Sequence, residues 1–381
     1  MIQSFAHPTD MTQTKVLFLM PVVSQVRYRK RIQALSALGV APKILSFERD
    51  YFSGEPAEGY VSLGRLEHSN YLKRLRPFSK AFPIIKKHAE DARALYCFGL
   101  DMLMLGWLVN KRLGGRLKLI YEVGDIRTVL LGEGRKAQVL RRVESFLVRR
   151  IDRLVVTSEA YVKEYYEGIL GLKGLNYQVV ENKLEEGFVP TGKLTIPEPT
   201  AFTIGYFGLL RCKQSWTILK KFANTSLGKA RVYVRGYPSL PKDLAEQAKH
   251  VENLEYGGPY VAPDELPTLY SAVDIVWACY PYEENRPVGN WRWARTNRFY
   301  EACYFGKPMI TQKGTEDGRV VEDLDIGLNI DLSDTDSVIK AVKAITPEML
   351  RRWQENLRSL PKEVFMYKDE HKELTEFLTD V

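Results

Sequence analysis

The feature that most constrains this chain is a repeated alternation. Short apolar runs rich in β-branched and aromatic residues recur along it, each followed by a polar turn and then by helix-like spacing. In the first half they fall at 16–20, 43–47, 94–98, 118–121, 153–157 and 178–180; in the second, at 202–207, 231–234, 275–278, 308–311 and 328–330. Continuous runs of this kind fit strands buried on both faces, as in a parallel sheet covered by its crossover helices. The stretches between them are amphipathic: Ile32, Leu35 and Leu38 share one helical face, and Leu140, Val143, Leu147 and Ile151 another. The expected class is α/β with right-handed crossovers. A Pro- and Gly-rich stretch, 190–199, separates two complete strand–helix sets and reads as a linker. The expected domains are therefore 15–192 and 200–360, with a segment 361–381 whose helix, near 368–378, crosses back toward the first domain. Two doubly wound, Rossmann-like domains would then face each other across a cleft.

Several function classes are excluded by what is missing. The first strand is followed by Met20-Pro-Val-Val-Ser-Gln-Val26 where a nicotinamide dehydrogenase would carry GxGxxG. There is no GxxxxGK[ST], HExxH or GxSxG. The histidines (His7, His68, His88, His250, His371) are scattered, which argues against a histidine metal site. Cys97, Cys212, Cys279 and Cys303 form no CxxC pair, which fits a reducing compartment. The apolar stretch 95–109 contains Asp101 and falls short of the ~20 residues that a transmembrane helix needs. The polar start, 1–14, lacks a signal-peptide pattern, so the chain reads as cytoplasmic. Charge is uneven: residues 1–196 carry 31 Lys and Arg against 20 Asp and Glu, and residues 197–381 carry 24 against 27. A basic first half points toward an anionic surface, polymer or lipid. No nucleic-acid-binding motif accompanies it, and no nucleic acid partner is expected.

Three segments of the second half carry the chemistry. Phe202-Thr-Ile-Gly-Tyr-Phe-Gly-Leu-Leu-Arg-Cys-Lys213 reads as a strand, a turn at Gly208 and a helix start. Free amides there, with Arg211 and Lys213, make either a diphosphate site or a tight turn with two solvated cations. In Thr296-Asn-Arg-Phe-Tyr-Glu301, Thr296 is a candidate N-cap that sets Asn297 and Arg298 at a helix start on the C-terminal edge of the sheet, facing the same diphosphate. Glu301 lies just over a turn further on. It is read as a carboxylate accepting hydrogen bonds from both ribose hydroxyls, or as a solvated helix glutamate. The third segment, 257–274, reads as a short helix leading to the strand at 275–278.

Together these segments resemble the C-terminal domain of GT-B glycosyltransferases, especially bacterial family 4-like enzymes of cell-surface polysaccharide synthesis. The resemblance implies that the Gly turn with its Arg and Lys meets a nucleotide diphosphate and that Asn297-Arg-Phe-Tyr-Glu301…Gly306-Lys-Pro308 binds ribose. Asp152-Arg-Leu-Val-Val-Thr-Ser-Glu159 and Val179-Val-Glu-Asn182 resemble the closing strands of the family's acceptor domain. Val26-Arg-Tyr-Arg-Lys-Arg-Ile32 resembles the basic start of its first helix, with Arg27 on the acceptor or membrane side. The likeness covers about residues 15–330. It departs where many retaining members carry the first of two glutamates, here Trp293, and in having no histidine suitably placed after a first-domain strand.

Leu119-Ile-Tyr-Glu-Val-Gly-Asp-Ile-Arg127 leaves the fourth expected strand on the cleft side. Asp125, following a glycine, is the candidate base of an inverting transfer, with Arg211 and Lys213 holding the leaving group. An N-cap or acceptor-positioning role is the alternative, and Glu122 is the second candidate base. The stretch 71–87, with Lys73, Arg74, Arg76, Lys86 and Lys87, reads as a strip lying on an anionic leaflet or as amphipathic helix packed on the core, with Pro77 and Pro83 interrupting any long helix. The expected activity is transfer of a sugar from a nucleoside diphosphate sugar, a UDP-sugar, to a glycan or undecaprenyl-linked acceptor at the inner face of the plasma membrane. The donor belongs to the second domain and the acceptor to the first. No metal or other cofactor is expected, because cations and helix amides serve the diphosphate. Arg292, Arg295 and Arg298 suit either that diphosphate or an acidic sugar. A sugar-nucleotide epimerase of the same architecture and a non-catalytic scaffold subunit are the alternatives.

Overall fold

The computed structural model describes residues 14–48, 59–66, 74–185, 188, 202–226, 228–282 and 288–380. The first half contributes β1 (Thr14–Met20), α1 (Val26–Ala37), β2 (Val40–Glu48), β3 (Val61–Arg65), α2 (Leu75–Ala89), β4 (Ala94–Phe98), α3 (Leu100–Arg112), β5 (Lys118–Val123), α4 (Arg135–Val148), β6 (Arg153–Val156) and β7 (Tyr177–Val179). These strands form one sheet in the order β3-β2-β1-β4-β5-β6-β7, and every pair is parallel.

The second half opens with β8 (Phe202–Leu210), α5 (Lys213–Asn224), β9 (Ala230–Pro238), α6 (Leu244–Ala248), β10 (Leu254–Tyr256), α7 (Leu266–Ser271) and β11 (Ile275–Trp277). It continues with α8 (Asn290–Trp293), α9 (Asn297–Tyr304), β12 (Met309–Gln312), α10 (Glu316–Asp323), β13 (Gly327–Ile330), α11 (Thr335–Lys343), α12 (Pro347–Ser359) and α13 (Glu370–Thr379). Its sheet, again all parallel, runs β10-β9-β8-β11-β12-β13. The α/β, doubly wound architecture expected from the apolar runs is the one observed.

Burial explains why the runs were continuous. Every residue of β4 is buried, as are Val16 to Met20 of β1, because helices cover both sheet faces. Helices α2, α3 and α4 share one core with Leu17, Leu19 and Leu95, while α1 and α13 share the opposite core with Val16, Phe18 and Tyr96. The apolar stretch 95–109 is thus a central strand followed by a largely buried helix. Among the described residues no helix is long and apolar enough to cross a membrane. The two strands not anticipated, β3 and β10, lie at sheet edges, where one side meets solvent and the apolar signal thins.

Three local expectations are corrected. Helix α2 runs unbroken from Leu75 to Ala89 through both prolines. Pro77 stands in the first turn, where the amide has no helical partner to lose, and Pro83 is outvoted by burial of Ala81, Ile85 and Ala89. Leu38 is the exposed C-cap residue of α1 and does not join Ile32 and Leu35 in the core. Strand β8 continues past Gly208 to Leu210, so the turn comes at Arg211-Cys212. Gly208, at φ +100°, pairs with Gly236, at φ +137°; a Cβ on Gly236 would sit 1.8 Å from the Gly208 carbonyl oxygen. This close approach joins the ends of β8 and β9 without side chains between them. The stretch read as a linker lies outside the described residues. Helix α13 packs on α1, β1 and β2 through His371, Leu374 and Leu378.

Candidate active site

In each sheet the chain reverses its winding once, between β1 and β4 and between β8 and β11. At such a point neighbouring connections diverge and leave a crevice beyond the carboxyl ends of the strands. The crevice of the second sheet is a cavity of about 310 Å³ lined by Gly208, Arg211, Tyr280, Thr296, Asn297, Arg298 and Glu301 from its own side, and by Arg27, Gly124, Asp125, Thr157 and Asn182 from the first sheet. The two halves therefore share one cleft.

Asp125 hangs from a fixed loop. The Gly124 carbonyl accepts from the Thr157 hydroxyl at 3.1 Å and from the Tyr161 hydroxyl at 3.2 Å. The amide and carbonyl of Ile126 bond the Asn290 side chain from the second half at 2.8 and 3.0 Å. Gly124 has no Cβ, and the Arg27 guanidinium occupies the place one would take. The Asp125 carboxylate is open to the cleft, and among the described residues nothing hydrogen-bonds it. The surrounding protein pushes its pKa up, against the opposing pull of Arg27 and Arg211.

Across the cleft, Thr296 caps α9, its hydroxyl accepting from the Phe299 amide at 3.3 Å, and Asp317 accepts from the Thr296 amide at 2.9 Å. That fixes Asn297, which is exposed, at the helix start. One turn on, Glu301 is half-buried and accepts from the Tyr270 hydroxyl at 2.8 Å. Burial pushes its pKa up to about 7, with the Tyr270 bond, Arg298 and Lys30 opposing. Arg211 donates to the Tyr280 hydroxyl at 3.0 Å beside Asp125. The arrangement presents a carboxylate on each wall, with Arg211 near Asp125 and Arg298 near Glu301.

No family model matches the chain. A succinoglycan biosynthesis protein, ExoL of Rhizobium meliloti, is 26% identical over 346 residues, 87% of this chain and 85% of that protein. A sucrose-phosphate synthase from Thermosynechococcus elongatus superposes with a TM-score of 0.69 at 16% identity, over 95% of this chain and 98% of its own. HepE of Anabaena, solved with UDP and glucose, gives 0.70 at 15% identity, over 97% and 100%. The fold is GT-B.

Within this GT-B frame the expected site residues separate. Asp125, Gly208, Arg211, Thr296, Asn297, Arg298 and Glu301 all line the shared cleft. Lys213 is exposed at the start of α5 and is not among the cavity-lining residues. Arg298 is tied down, donating to the carbonyls of Phe207 at 3.0 Å and Cys279 at 2.8 Å, so it braces the ends of β8 and β11. Arg295 is spent on Glu181 and Asp317, both at 3.4 Å, and Arg292 donates to the Gly314 carbonyl. Glu122 is 1% exposed and accepts from Arg31 at 3.2 Å and from the Tyr96 hydroxyl at 2.5 Å. It anchors α1 and is not poised as a base.

The basic strip is corrected too. Arg27, read as lying on the acceptor or membrane side, lines the cleft and is no part of this strip. Arg74 is buried and paired with Asp101 at 2.7 Å. Arg76 and Lys87 are exposed and Lys86 half-buried on α2, while Lys73 lies outside the described residues. Trp293 packs into the first half's core against Tyr161 and Tyr165. Tyr280, Tyr260, Asn182 and Asn290 were not anticipated as site residues; the usable signal for Tyr280 was its place just past a strand at 275–278. His371 reaches the cleft's edge from α13, beside Arg31, with burial pushing it down to about 4 and hence neutral.

Proposed function

We propose that this chain is a glycosyltransferase of bacterial surface-polysaccharide assembly that moves a sugar from a UDP-sugar to a lipid-linked glycan acceptor, without a metal ion, at the inner face of the plasma membrane. The observation that carries the reading is the cleft itself: Glu301 at the switch point of one sheet stands opposite Asp125 of the other. The likeness to a succinoglycan biosynthesis protein and to a fold relative solved with UDP and glucose supports it.

In this reading Glu301 accepts hydrogen bonds from the two ribose hydroxyls, and Arg211 with the amides at the start of α9 meets the diphosphate. Asp125 accepts the proton of the acceptor hydroxyl as that oxygen bonds the anomeric carbon. The bond from that carbon to the diphosphate breaks, and UDP leaves with the electron pair. The surrounding protein raises the Asp125 pKa, which moves it in the direction that strengthens a base, against the opposing pull of Arg27 and Arg211. Trp293 fills the position where many retaining relatives carry a glutamate, which favours direct displacement with inversion.

Isothermal titration with UDP tests the donor site. Wild type is expected to bind, more tightly at pH 8 than at pH 6, because the ionised Glu301 accepts both ribose hydrogen bonds and is half protonated at about pH 7. Glu301→Gln is expected to bind about tenfold more weakly at pH 8 and to lose the pH dependence. No uptake of UDP or any UDP-sugar by the wild type overturns the proposal. Consumption of a UDP-sugar that is independent of acceptor favours an epimerase.

A further inference from the structure

Helices α2, α3 and α4 lie side by side over one face of the first sheet, their inner sides in a single core. Their outer sides are unusual in two ways. The three helices contain two carboxylates, Asp101 and Glu144, and neither is exposed. Asp101 is buried between Arg74 and Arg127, and Glu144 is buried under the hydroxyls of Tyr121, Tyr165 and Tyr166. Every exposed charge within the three helix spans is consequently a cation, among them Lys80, Lys111 and Arg142, while exposed carboxylates stand just beyond their ends at Glu90, Asp91 and Glu133.

Large apolar side chains stand between those cations. Leu108, Val139 and Phe146 are 39%, 56% and 43% exposed. On α4, Arg135, Val139, Arg142, Phe146 and the C-cap Arg149 follow one another at steps of three and four, so they form one outward stripe. Trp107 of α3 meets Phe146 edge-on at 5.3 Å between ring centroids, and Lys111 lies 5.3 Å from the Trp107 ring, which joins the two helices into one ridge.

We infer that this outer surface of α2, α3 and α4 docks on an anionic phospholipid bilayer. Apolar tips enter the headgroup–acyl boundary while the long Lys and Arg stems keep their charges at the phosphates. A nucleic acid would satisfy the cations but would leave the aliphatic and aromatic tips without an apolar partner. The surface deepens the reading given above, because it would hold the acceptor-side half against the leaflet that carries a lipid-linked acceptor.

Flotation of the purified full chain with phosphatidylcholine vesicles, with and without phosphatidylglycerol, tests it, alongside UDP titration. Wild type is expected to float only with the anionic vesicles and to be released by salt. Arg142→Glu combined with Arg149→Glu is expected to lower vesicle affinity by about tenfold or more. Leu108→Ser with Phe146→Ser should lower it several-fold, and both pairs should bind UDP as wild type does. Failure to float, equal binding to neutral vesicles, insensitivity to both pairs, or preference for duplex DNA over vesicles overturns the surface. A chain that binds UDP but no vesicle loses this inference alone. A chain that binds vesicles but no UDP loses the transferase reading alone.

Discussion

The loop carrying Asp125 is tied at both neighbours, through the Gly124 carbonyl and both backbone groups of Ile126, while its carboxylate is left to the cleft. A side chain held so, with no structural partner among the described residues, can change without unfolding the loop. Asp125→Asn is expected to lower transfer by about 10²–10⁴-fold and to leave UDP affinity within a few-fold, as read by transfer of labelled sugar and by titration. Transfer persisting near the wild-type rate assigns the base elsewhere. The contrast with Glu122, three residues earlier, shows what a single sequence reveals at this scale. A glycine before an aspartate at a strand end is a local signal. Whether a strand carboxylate meets an arginine of α1 depends on Arg31, which lies 91 positions away.

At the scale of elements, α9 delivers Asn297 and Glu301 to the cleft because its start is doubly fixed, by the Thr296 hydroxyl on the Phe299 amide and by Asp317 on the Thr296 amide. Thr296→Ala removes the first bond and leaves the second. It is expected to destabilise the protein by about 1 kcal/mol, read as a lower urea midpoint with an unchanged slope; a change within error would mean that Asp317 alone sets the helix start. This cap was legible in the sequence because capping is a contact between residues three apart. The continuity of α2 through Pro83 was not, since the residues that hold it, Ala81, Ile85 and Ala89, do so by packing against a sheet the local pattern does not contain.

At the scale of the whole molecule, the two halves are joined by polar and aromatic contacts that carry the cleft's geometry. Arg295 bridges Glu181 of the first half and Asp317 of the second, and Trp293 inserts beside Tyr161 and Tyr165. Burial raises the pKa of both carboxylates, and Arg295 holds that rise down. Arg295→Met would leave the buried Asp317 without its cation and Glu181 with Lys183 at 3.9 Å, at a cost of about 3 kcal/mol near pH 7. Because both carboxylates then protonate more readily, the loss should shrink toward pH 5. Urea melts at the two pH values check this, and equal losses would show that the ion pairs are not the cause.

The amino-acid order by itself determined the alternation of buried strands and covering helices, the two-sheet α/β plan, the helix start at Thr296 and the carboxylate one turn beyond it. These rest on periodicity and capping, which act over a few residues. Only the tertiary structure decided which cations reach the cleft and which are absorbed elsewhere. Arg27, Arg211, Arg295 and Arg298 all line it, but Arg295 is held in ion pairs and Arg298 braces strand ends, while Arg74 is buried against Asp101. Each of those fates depends on a partner distant in the chain, as with Arg31 and His371, 340 positions apart, and a buried charge takes whichever opposite charge or carbonyl the fold brings beside it.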